Sequence, residues 1–95
     1  MKREKEQVFM NARRIKFSKH ASEKFGFLRR YGFLVTEAFV KDTIVHPNQT
    51  ERRNDQILAI RPLDDEHALR VVYKRINDNI LVVTFYPVRR ERFHV

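Results

Sequence analysis

The sequence predicts an α+β domain with the element order β-α-α-β-β-β, in which two helices pack on one face of an antiparallel sheet. Helical spacing with capping residues is confined to residues 18–46, strand-like alternation fills the second half, and Asn/Asp pairs separate the strands. A run of helices followed by a run of strands is typical of the α+β class. The length of 95 residues is that of one domain.

The N-terminal residues 1–14 are predicted to form a basic arm in front of a single domain, residues 15–95. The arm is mostly charged and has one small apolar cluster, Val8-Phe9-Met10. This composition fits either a mobile arm or a short helix. The alternation of Ile15-Lys16-Phe17 predicts the first strand.

The first helix is predicted from Lys19 to Arg30. Ser18 is suited to the N-cap, because its hydroxyl can accept a free N–H of the first turn. Gly32 lies where a left-handed residue commonly follows a helix. A stripe at helical spacing should be buried, namely Ala21, Phe25 and Leu28.

The second helix is predicted to begin after Thr36, which is suited to the N-cap, and to end before Pro47. Val35 and Val40 occupy the two positions of a hydrophobic staple. The buried face should consist of Phe39, Val40, Thr43 and Ile44.

Three strands are predicted after the helices. Residues 50–53 are open to an extended conformation and are not counted as a strand. Residues 56–61 form a strand stopped by Pro62, and residues 64–66 form a polar loop. Residues 69–76 alternate, with Leu69, Val71 and Tyr73 on one face and Arg70, Val72 and Lys74 on the other.

The last strand is predicted over residues 80–86, after a turn at Asn77-Asp78-Asn79. It is apolar on both faces, as a central strand is, and Val83 and Phe85 are expected to lie together beneath the helices. Pro87 should end it, leaving residues 88–95 as a basic tail.

Charge is the first indication of function. The chain has 20 Lys and Arg against 12 Asp and Glu, a net charge of +8. Residues 1–30 and 70–95 are basic, whereas the segment between them is mildly acidic. If the two basic ends meet, they form one positive face, which favours a nucleic acid or an acidic protein as partner over an inert solvated surface.

Several function classes are excluded or disfavoured. The chain has no cysteine, so disulfides, thiolate metal sites and cysteine nucleophiles are excluded, and a cytoplasmic location is expected. Its four histidines lack metal-ligand spacing, so no metal and no cofactor is expected. It has no Gly-rich phosphate loop and no paired catalytic carboxylates, and neither a secretion signal nor a membrane segment is expected.

His20 is the first candidate site residue. It lies at the start of the first helix beside Lys19, where free N–H groups attract phosphate and an imidazole can transfer a proton. A first-turn histidine can equally well only cap or pack.

Further candidates lie on the last two strands. Arg70 shares a face with Lys74 and could clamp a phosphate, or it could be solvated. The segment 86–94 combines basic groups with aromatic rings, a composition that suits RNA. Its candidates are Tyr86, Arg89, Arg90, Arg92 and His94, although a docked tail anchored by Phe93 would have the same composition.

Three motifs resemble a small prokaryotic domain family of unknown function that is related to the RelE/ParE toxin superfamily. They are Phe17-Ser18-Lys19-His20-Ala21, Arg70-Val71-Val72-Tyr73 and the segment 82–89, Val-Val-Thr-Phe-Tyr-Pro-Val-Arg. The family patterns are F-S-x-H-A, R-V-V-Y and V-T-x-Y-P-x-R. The resemblance covers roughly residues 15–93.

The resemblance implies a compact RelE-like β-α-α-β-β-β fold. Members similar to RelE cut mRNA on the ribosome without a metal, using sheet-borne basic residues, a late arginine and often a C-terminal tyrosine. Arg70 and Arg89 match the two arginines, and Phe93 lies near the place of the tyrosine. The lysines of the first hairpin are not matched, and Arg61 is the basic residue of that strand.

The function expected first is therefore that of a metal-independent RNA-cleaving or RNA-binding domain of a toxin–antitoxin pair. Arg70 and Arg89 would bind the scissile phosphate, while His20, Tyr86 or His94 would move protons. Lys19, Lys74, Arg90 and Arg92 would bind the nucleic acid, and an acidic antitoxin could be a protein partner. The alternatives are a non-enzymatic binding module of the same fold and a gyrase-directed toxin similar to ParE.

Overall fold

The structure is a computed structural model and describes residues 14–95. Its elements are β1 (Ile15–Phe17), α1 (Lys19–Arg30), α2 (Glu37–Val45), β2 (Gln49–Arg53), β3 (Gln56–Pro62), β4 (His67–Ile76) and β5 (Asn79–Arg89). A 3-10 turn, Arg90–Arg92, follows β5. The predicted arm lies outside the described residues except for Arg14.

The α+β class is confirmed, but the sheet is mixed and has five strands in the order β1-β5-β4-β3-β2. β2 to β5 are antiparallel neighbours joined by short connections, whereas β1 runs parallel to β5. The prediction of a purely antiparallel sheet is therefore wrong. A parallel pair needs a long crossover, and the chain between these two strands, with both helices, supplies it.

The fifth strand is β2, the segment for which the sequence left an extended conformation open. Every residue of β2 is exposed, so it carries no alternation of apolar and polar side chains. It is held by backbone pairing with β3 through a two-residue turn in which Asn54 has φ 55°. Polar edge strands of this kind leave little periodic signal in a sequence.

The helix predictions are confirmed at their caps. Ser18 accepts a hydrogen bond from the N–H of Ala21 at 3.0 Å, and Thr36 accepts one from the N–H of Phe39 at 3.1 Å. Gly32, with φ 87°, follows the end of α1 as predicted. Neither helix is long and apolar enough to cross a membrane, a finding that holds for residues 14–95.

Both helices pack on the same face of the sheet. One cluster of buried side chains joins α1, α2 and four strands, and its most buried members are Ala21, Val40, Ala59, Leu69, Val71, Val82 and Phe85. Phe25 of α1 packs on Phe85 with ring centroids 4.7 Å apart. The helices therefore leave the opposite face of the sheet uncovered.

The expectation that Val83 shares the buried face with Phe85 is wrong. Phe85 pairs with Val71 and is fully buried, but Tyr73 pairs with Val82 because β5 contains one extra residue, Val83. This bulge reverses the alternation of β5, so Val82 takes the core position and Val83 is only half-buried.

Pro87 lies inside β5 and does not end it. β1 pairs only with Ile80 to Val82, so the outer side of β5 beyond that point has no neighbouring strand in the described chain. Proline is tolerated on such an edge because no ladder donor is lost. The predicted basic tail is accordingly the end of β5, the 3-10 turn and a short segment that folds back on the sheet.

The described part of the basic N-terminal segment does pack against β5, but Arg14 and Arg89 lie at opposite ends of that strand. The carbonyl of Arg14 accepts the N–H of Ile80 at the start of β5, whereas Arg89 ends that strand. Nine residues of strand separate the two positions by roughly 30 Å. Arg14 instead forms an ion pair with Asp78, with 3.6 Å between the charged atoms.

Candidate functional site

The sheet face opposite the helices is the candidate site, and we call it the open face. The strand register assigns to it, from β2 to β5, Glu51, Arg53, Leu58, Ile60, Arg70, Val72, Lys74, Thr84 and Tyr86. Leu58, Ile60 and Val72 are buried although no helix covers them, so the surface of this face consists mainly of its charged and aromatic side chains. A surface of this composition suits a ligand that combines anionic groups with flat rings.

Arg70 is at the centre of the open face and is largely shielded from solvent. Its Nη2 atom donates to Oε1 of Glu51 at 3.0 Å, and its guanidinium lies 5.1 Å from the centre of the Phe93 ring. Only 13% of its side chain is exposed, against 50% for Glu51. An arginine held in this way has a fixed direction, so it can act as a rigid anion contact.

The carboxylate of Glu51 accepts hydrogen bonds from two arginines, Arg70 and Arg53. Arg53 donates from Nε to Oε2 at 2.8 Å, on the other side of the carboxylate from Arg70. The hydrogen bond from Arg53 is the main reason that the pKa of Glu51 lies below its ordinary value of 4.5, and Arg70 adds to the effect. The carboxylate is therefore ionised at neutral pH, so it competes with any anionic ligand for both arginines.

His20 reaches the open face from the first turn of α1. Its Nε2 atom is 3.1 Å from Oγ1 of Thr84, and its ring is exposed. The position follows from Ser18, which caps α1 and hydrogen-bonds the carbonyl of Val83, the residue before Thr84. The histidine is thus neither a cap nor a core residue, but an exposed imidazole at the sheet surface.

Tyr86 links His20 to Arg70. It is the direct partner of Arg70 across β4 and β5, and it follows Thr84 by two residues on the same face. That spacing is about 7 Å along the strand. Three of the predicted catalytic residues, His20, Tyr86 and Arg70, therefore follow one line on the open face.

Arg89 does not lie on this line. It is the register partner of His67, whose side of the sheet is that of Leu69 and the helices. Both Arg89 and Arg70 nevertheless line a cleft that wraps around the end of β5. The two predicted phosphate-binding arginines thus share a cleft, and His20 is not among the residues that line it.

The other predicted binding residues have different surroundings. Lys74 is on the open face and forms an ion pair with Asp55, with 3.5 Å between the charged atoms. Lys19 and Arg92 are exposed, and Arg92 lines the cleft. Arg90 donates to the carbonyl oxygens of Val95 at 2.9 Å and Asp64 at 3.0 Å, so its guanidinium holds the backbone in place.

The segment after β5 covers one end of the open face. The carbonyl of Phe93 accepts a hydrogen bond from Nε2 of Gln49 on β2 at 2.6 Å, and its ring lies over Arg70. His94, also named from the sequence, is exposed in this segment and has φ 55°. Phe93, which the sequence suggested as the anchor of a docked tail, therefore forms part of the wall of the candidate site.

Glu51, Arg53 and Thr84 are the site residues that sequence reasoning missed. Glu51 and Arg53 are two residues apart in a segment that precedes an Asn-Asp turn and a strand. Pairing through that turn places Glu51 opposite Leu58 and Arg53 opposite Gln56, on the face of Arg70, so both could have been found if residues 50–53 had been counted as a strand. Thr84 follows the bulge and has the face that alternation from Phe85 gives it; what the sequence did not show is that His20 comes within 3.1 Å of it.

Within residues 14–95 no group of three or more histidine or acidic side chains is arranged to hold a metal ion. In the comparisons with known proteins, no family model matches the chain, and neither a curated protein nor a solved structure is detectably similar to it.

Proposed function

We propose that the open face binds single-stranded RNA and that the chain is a toxin-like, RelE-related domain that cleaves it without a metal. The observation that supports this most directly is the alignment of His20, Tyr86 and Arg70 on the face that the two helices leave uncovered. Lys74 and Arg53 add positive charge, and the rings of Tyr86 and Phe93 are partly exposed on the same face. Cations for phosphates and aromatic rings for unstacked bases are what single-stranded RNA requires.

The cleavage step proposed here needs no group beyond these side chains. The 2′-oxygen of the RNA attacks the neighbouring phosphorus, the 5′-oxygen leaves, and a 2′,3′-cyclic phosphate forms. His20 accepts the proton of the 2′-hydroxyl, and Tyr86 donates one to the leaving 5′-oxygen. Arg70 stabilises the additional negative charge on the phosphate in the transition state.

Binding is tested with a short fluorescent RNA oligonucleotide in EDTA, by anisotropy at several salt concentrations. Arg70→Ala should weaken binding about tenfold, whereas Arg30→Ala, which removes an exposed charge at the end of α1, should have little effect. A melting curve for each variant shows whether it folds. Equal losses for the two variants would mean nonspecific attraction to a basic protein.

Cleavage is tested separately from binding. Tyr86→Phe keeps the ring and removes the proton, so it should leave RNA affinity unchanged and lower the cleavage rate by about a hundredfold or more. The product should carry a 2′,3′-cyclic phosphate. Tight RNA binding by the unaltered protein without any cleavage, with and without ribosomes, would favour the non-enzymatic binding module.

A second candidate function is the binding of an acidic protein such as an antitoxin. Phe27 and Tyr31 form an exposed aromatic pair at the end of α1, with ring centroids 5.0 Å apart, and Leu34 is exposed three residues later. Lys24 lies 5.4 Å from the Phe27 ring, and Arg30 is exposed nearby in the sequence. An acidic amphipathic helix matches these side chains in charge and in apolar surface. Tyr31→Ala should weaken capture of a co-expressed acidic partner and leave RNA binding intact.

A further inference from the structure

A cleft at the end of β4 and β5 has no role in the function proposed above apart from its contact with Arg70. It measures about 510 Å³, within the range of small-molecule sites. It is lined by Phe33, His67, Arg70, Pro87, Val88, Arg89, Arg92 and Phe93. Three arginines and a histidine lie among these residues and no carboxylate does, so the cleft suits an anion.

His67 is held in a defined orientation beside the cleft. Its Nδ1 atom is 3.0 Å from Oδ1 of Asp64 and 3.2 Å from Oδ2. Asp64 is itself fixed by the backbone N–H groups of Glu66 at 2.9 Å and His67 at 2.6 Å. With Nδ1 directed at the carboxylate, Nε2 is the ring nitrogen left for a ligand.

Aromatic contacts complete the arrangement. The ring of Phe33 meets the His67 ring edge-on, with centroids 4.9 Å apart, and Phe93 also lines the cleft. Two phenyl rings in one cleft offer apolar surface to a planar group. The cleft therefore combines a site for an anion with a site for a flat ring.

Arg90 fixes the position of the backbone segment that brings Arg89 and Arg92 to the same cleft. Its two hydrogen bonds, to the Asp64 and Val95 carbonyls, fix the 3-10 turn against the loop that also carries the Asp64 side chain. Its own N–H donates to the carbonyl of Glu66 at 2.9 Å. The same loop thus positions both His67 and the arginines on either side of Arg90.

We propose that this cleft binds the terminal phosphomonoester of a nucleotide, either a free mononucleotide or the phosphorylated end of an RNA strand. Arg89 and Arg92 contact the phosphate oxygens, Nε2 of His67 forms a hydrogen bond with the phosphate group, and the base lies against the phenyl rings. This site stands on its own geometry and does not require that the open face bind RNA.

The test is isothermal titration of the full chain with 5′-AMP, adenosine and inorganic phosphate. We expect 5′-AMP to bind at least about tenfold more tightly than either of the other two, because each of them lacks one half of the ligand. Equal affinity for adenosine and 5′-AMP, equal affinity for phosphate and 5′-AMP, or no binding of 5′-AMP would overturn the proposal.

Variants locate the site and separate it from the open face. Arg92→Ala, on the exposed 3-10 turn, and His67→Gln should each weaken 5′-AMP binding about tenfold, while Arg30→Ala and Tyr86→Phe should not change it. Unchanged affinity in folded Arg92→Ala would refute the site even if RNA cleavage is found. Conversely, 5′-AMP binding that persists in a protein without RNA activity would refute only the proposed function.

The source of the phosphate is settled by a pair of RNA tetranucleotides that differ only in a 5′-phosphate. Binding of the phosphorylated strand about tenfold tighter than the other, lost in Arg92→Ala, would assign the cleft to RNA ends. Equal binding of the two strands, combined with tight 5′-AMP binding, would assign it to the free nucleotide.

Discussion

The hydroxyl of Ser18 donates a hydrogen bond to the carbonyl oxygen of Val83 at 2.9 Å and so ties the start of α1 to the bulge in β5. The Oγ atom of Ser18 also accepts the N–H of Ala21, and the backbone N–H of Ser18 donates to the carbonyl of Val82 at 3.0 Å. One residue therefore ends β1, starts α1 and satisfies two carbonyls where the ladder is irregular. His20 owes its place at the open face to this arrangement.

Ser18→Ala should lower the free energy of unfolding by about 2 kcal/mol, the sum of a lost N-cap and a lost hydrogen bond. The measurement is urea denaturation followed by circular dichroism. Ser22→Ala is the matched control, since Ser22 is exposed within α1 and its loss should change stability by less than about 0.5 kcal/mol. Equal effects of the two substitutions would show that the hydroxyl of Ser18 contributes no stability.

The bulge is tested by comparing Phe85→Ala with Val83→Ala. Phe85 is fully buried against Phe25, so its truncation should cost about 3–5 kcal/mol. Val83 is half-buried outside the core and should cost about 1 kcal/mol or less. Denaturant unfolding of both variants checks the order, and a larger loss for Val83 would place it in the core after all.

Glu51→Gln should raise the affinity of the open face for single-stranded RNA by about three- to tenfold, because it removes the anion that occupies Arg70 and Arg53. Fluorescence anisotropy at low salt gives the affinity. Asp42→Asn on α2 removes an equal charge away from the open face and should leave the affinity nearly unchanged. A weaker complex with Glu51→Gln would mean that Glu51 serves mainly to hold the arginines in place.

Asp64 should make stability depend on pH in the acid range. Burial opposes its ionisation, but the N–H groups of Glu66 and His67 and the His67 ring outweigh it, and the pKa of Asp64 falls below its ordinary value of 3.8. A carboxyl with a lowered pKa in the folded state contributes stability above its unfolded pKa, and this contribution is lost as the pH falls through the folded value.

Asp64→Asn should therefore destabilise the protein at neutral pH, and the difference from the unaltered protein should shrink as the pH falls below about 4. Urea denaturation at a series of pH values measures this difference. Asp65→Asn, at the exposed neighbouring position, should give a difference that varies little with pH. A gap between unaltered protein and Asp64→Asn that stays constant down to low pH would show that the ionised carboxylate is not the stabilising group.

The parts of the fold that could be predicted from the sequence are helix ends and turns, which depend on the conformational preferences of a few neighbouring residues. Ser18 and Thr36 cap the two helices, as predicted. Asn77 has φ 57°, the left-handed conformation expected of a hairpin turn, and Gly32 follows the end of α1 as predicted. Each of these depends on a few neighbouring residues. The face assignment of Arg70 also followed correctly from simple alternation along β4.

What could not be predicted depends on residues far apart in the chain. The bulge at Val83 is a property of the pairing between β4 and β5, and Pro87 is tolerated only because β1 ends before reaching it. The cover of Phe93 on Arg70 and the link between His67 and Asp64 arise from loops whose sequences show no periodicity. Such features can be identified only when the pairing of the strands is known.

The pairing of β1 with β5 has a consequence for the order in which the chain can fold during its synthesis. Ser18 and Val83 are 65 residues apart, so β1 is synthesised well before β5, the strand with which it pairs. The hairpins of β2 to β5 join neighbours and can form early, whereas contacts of large sequence separation are slow to close. His20 meets Thr84 only when this final step is complete. A growing chain on the ribosome therefore cannot assemble the open face with its histidine in place, and any activity of that face begins only after translation has passed β5.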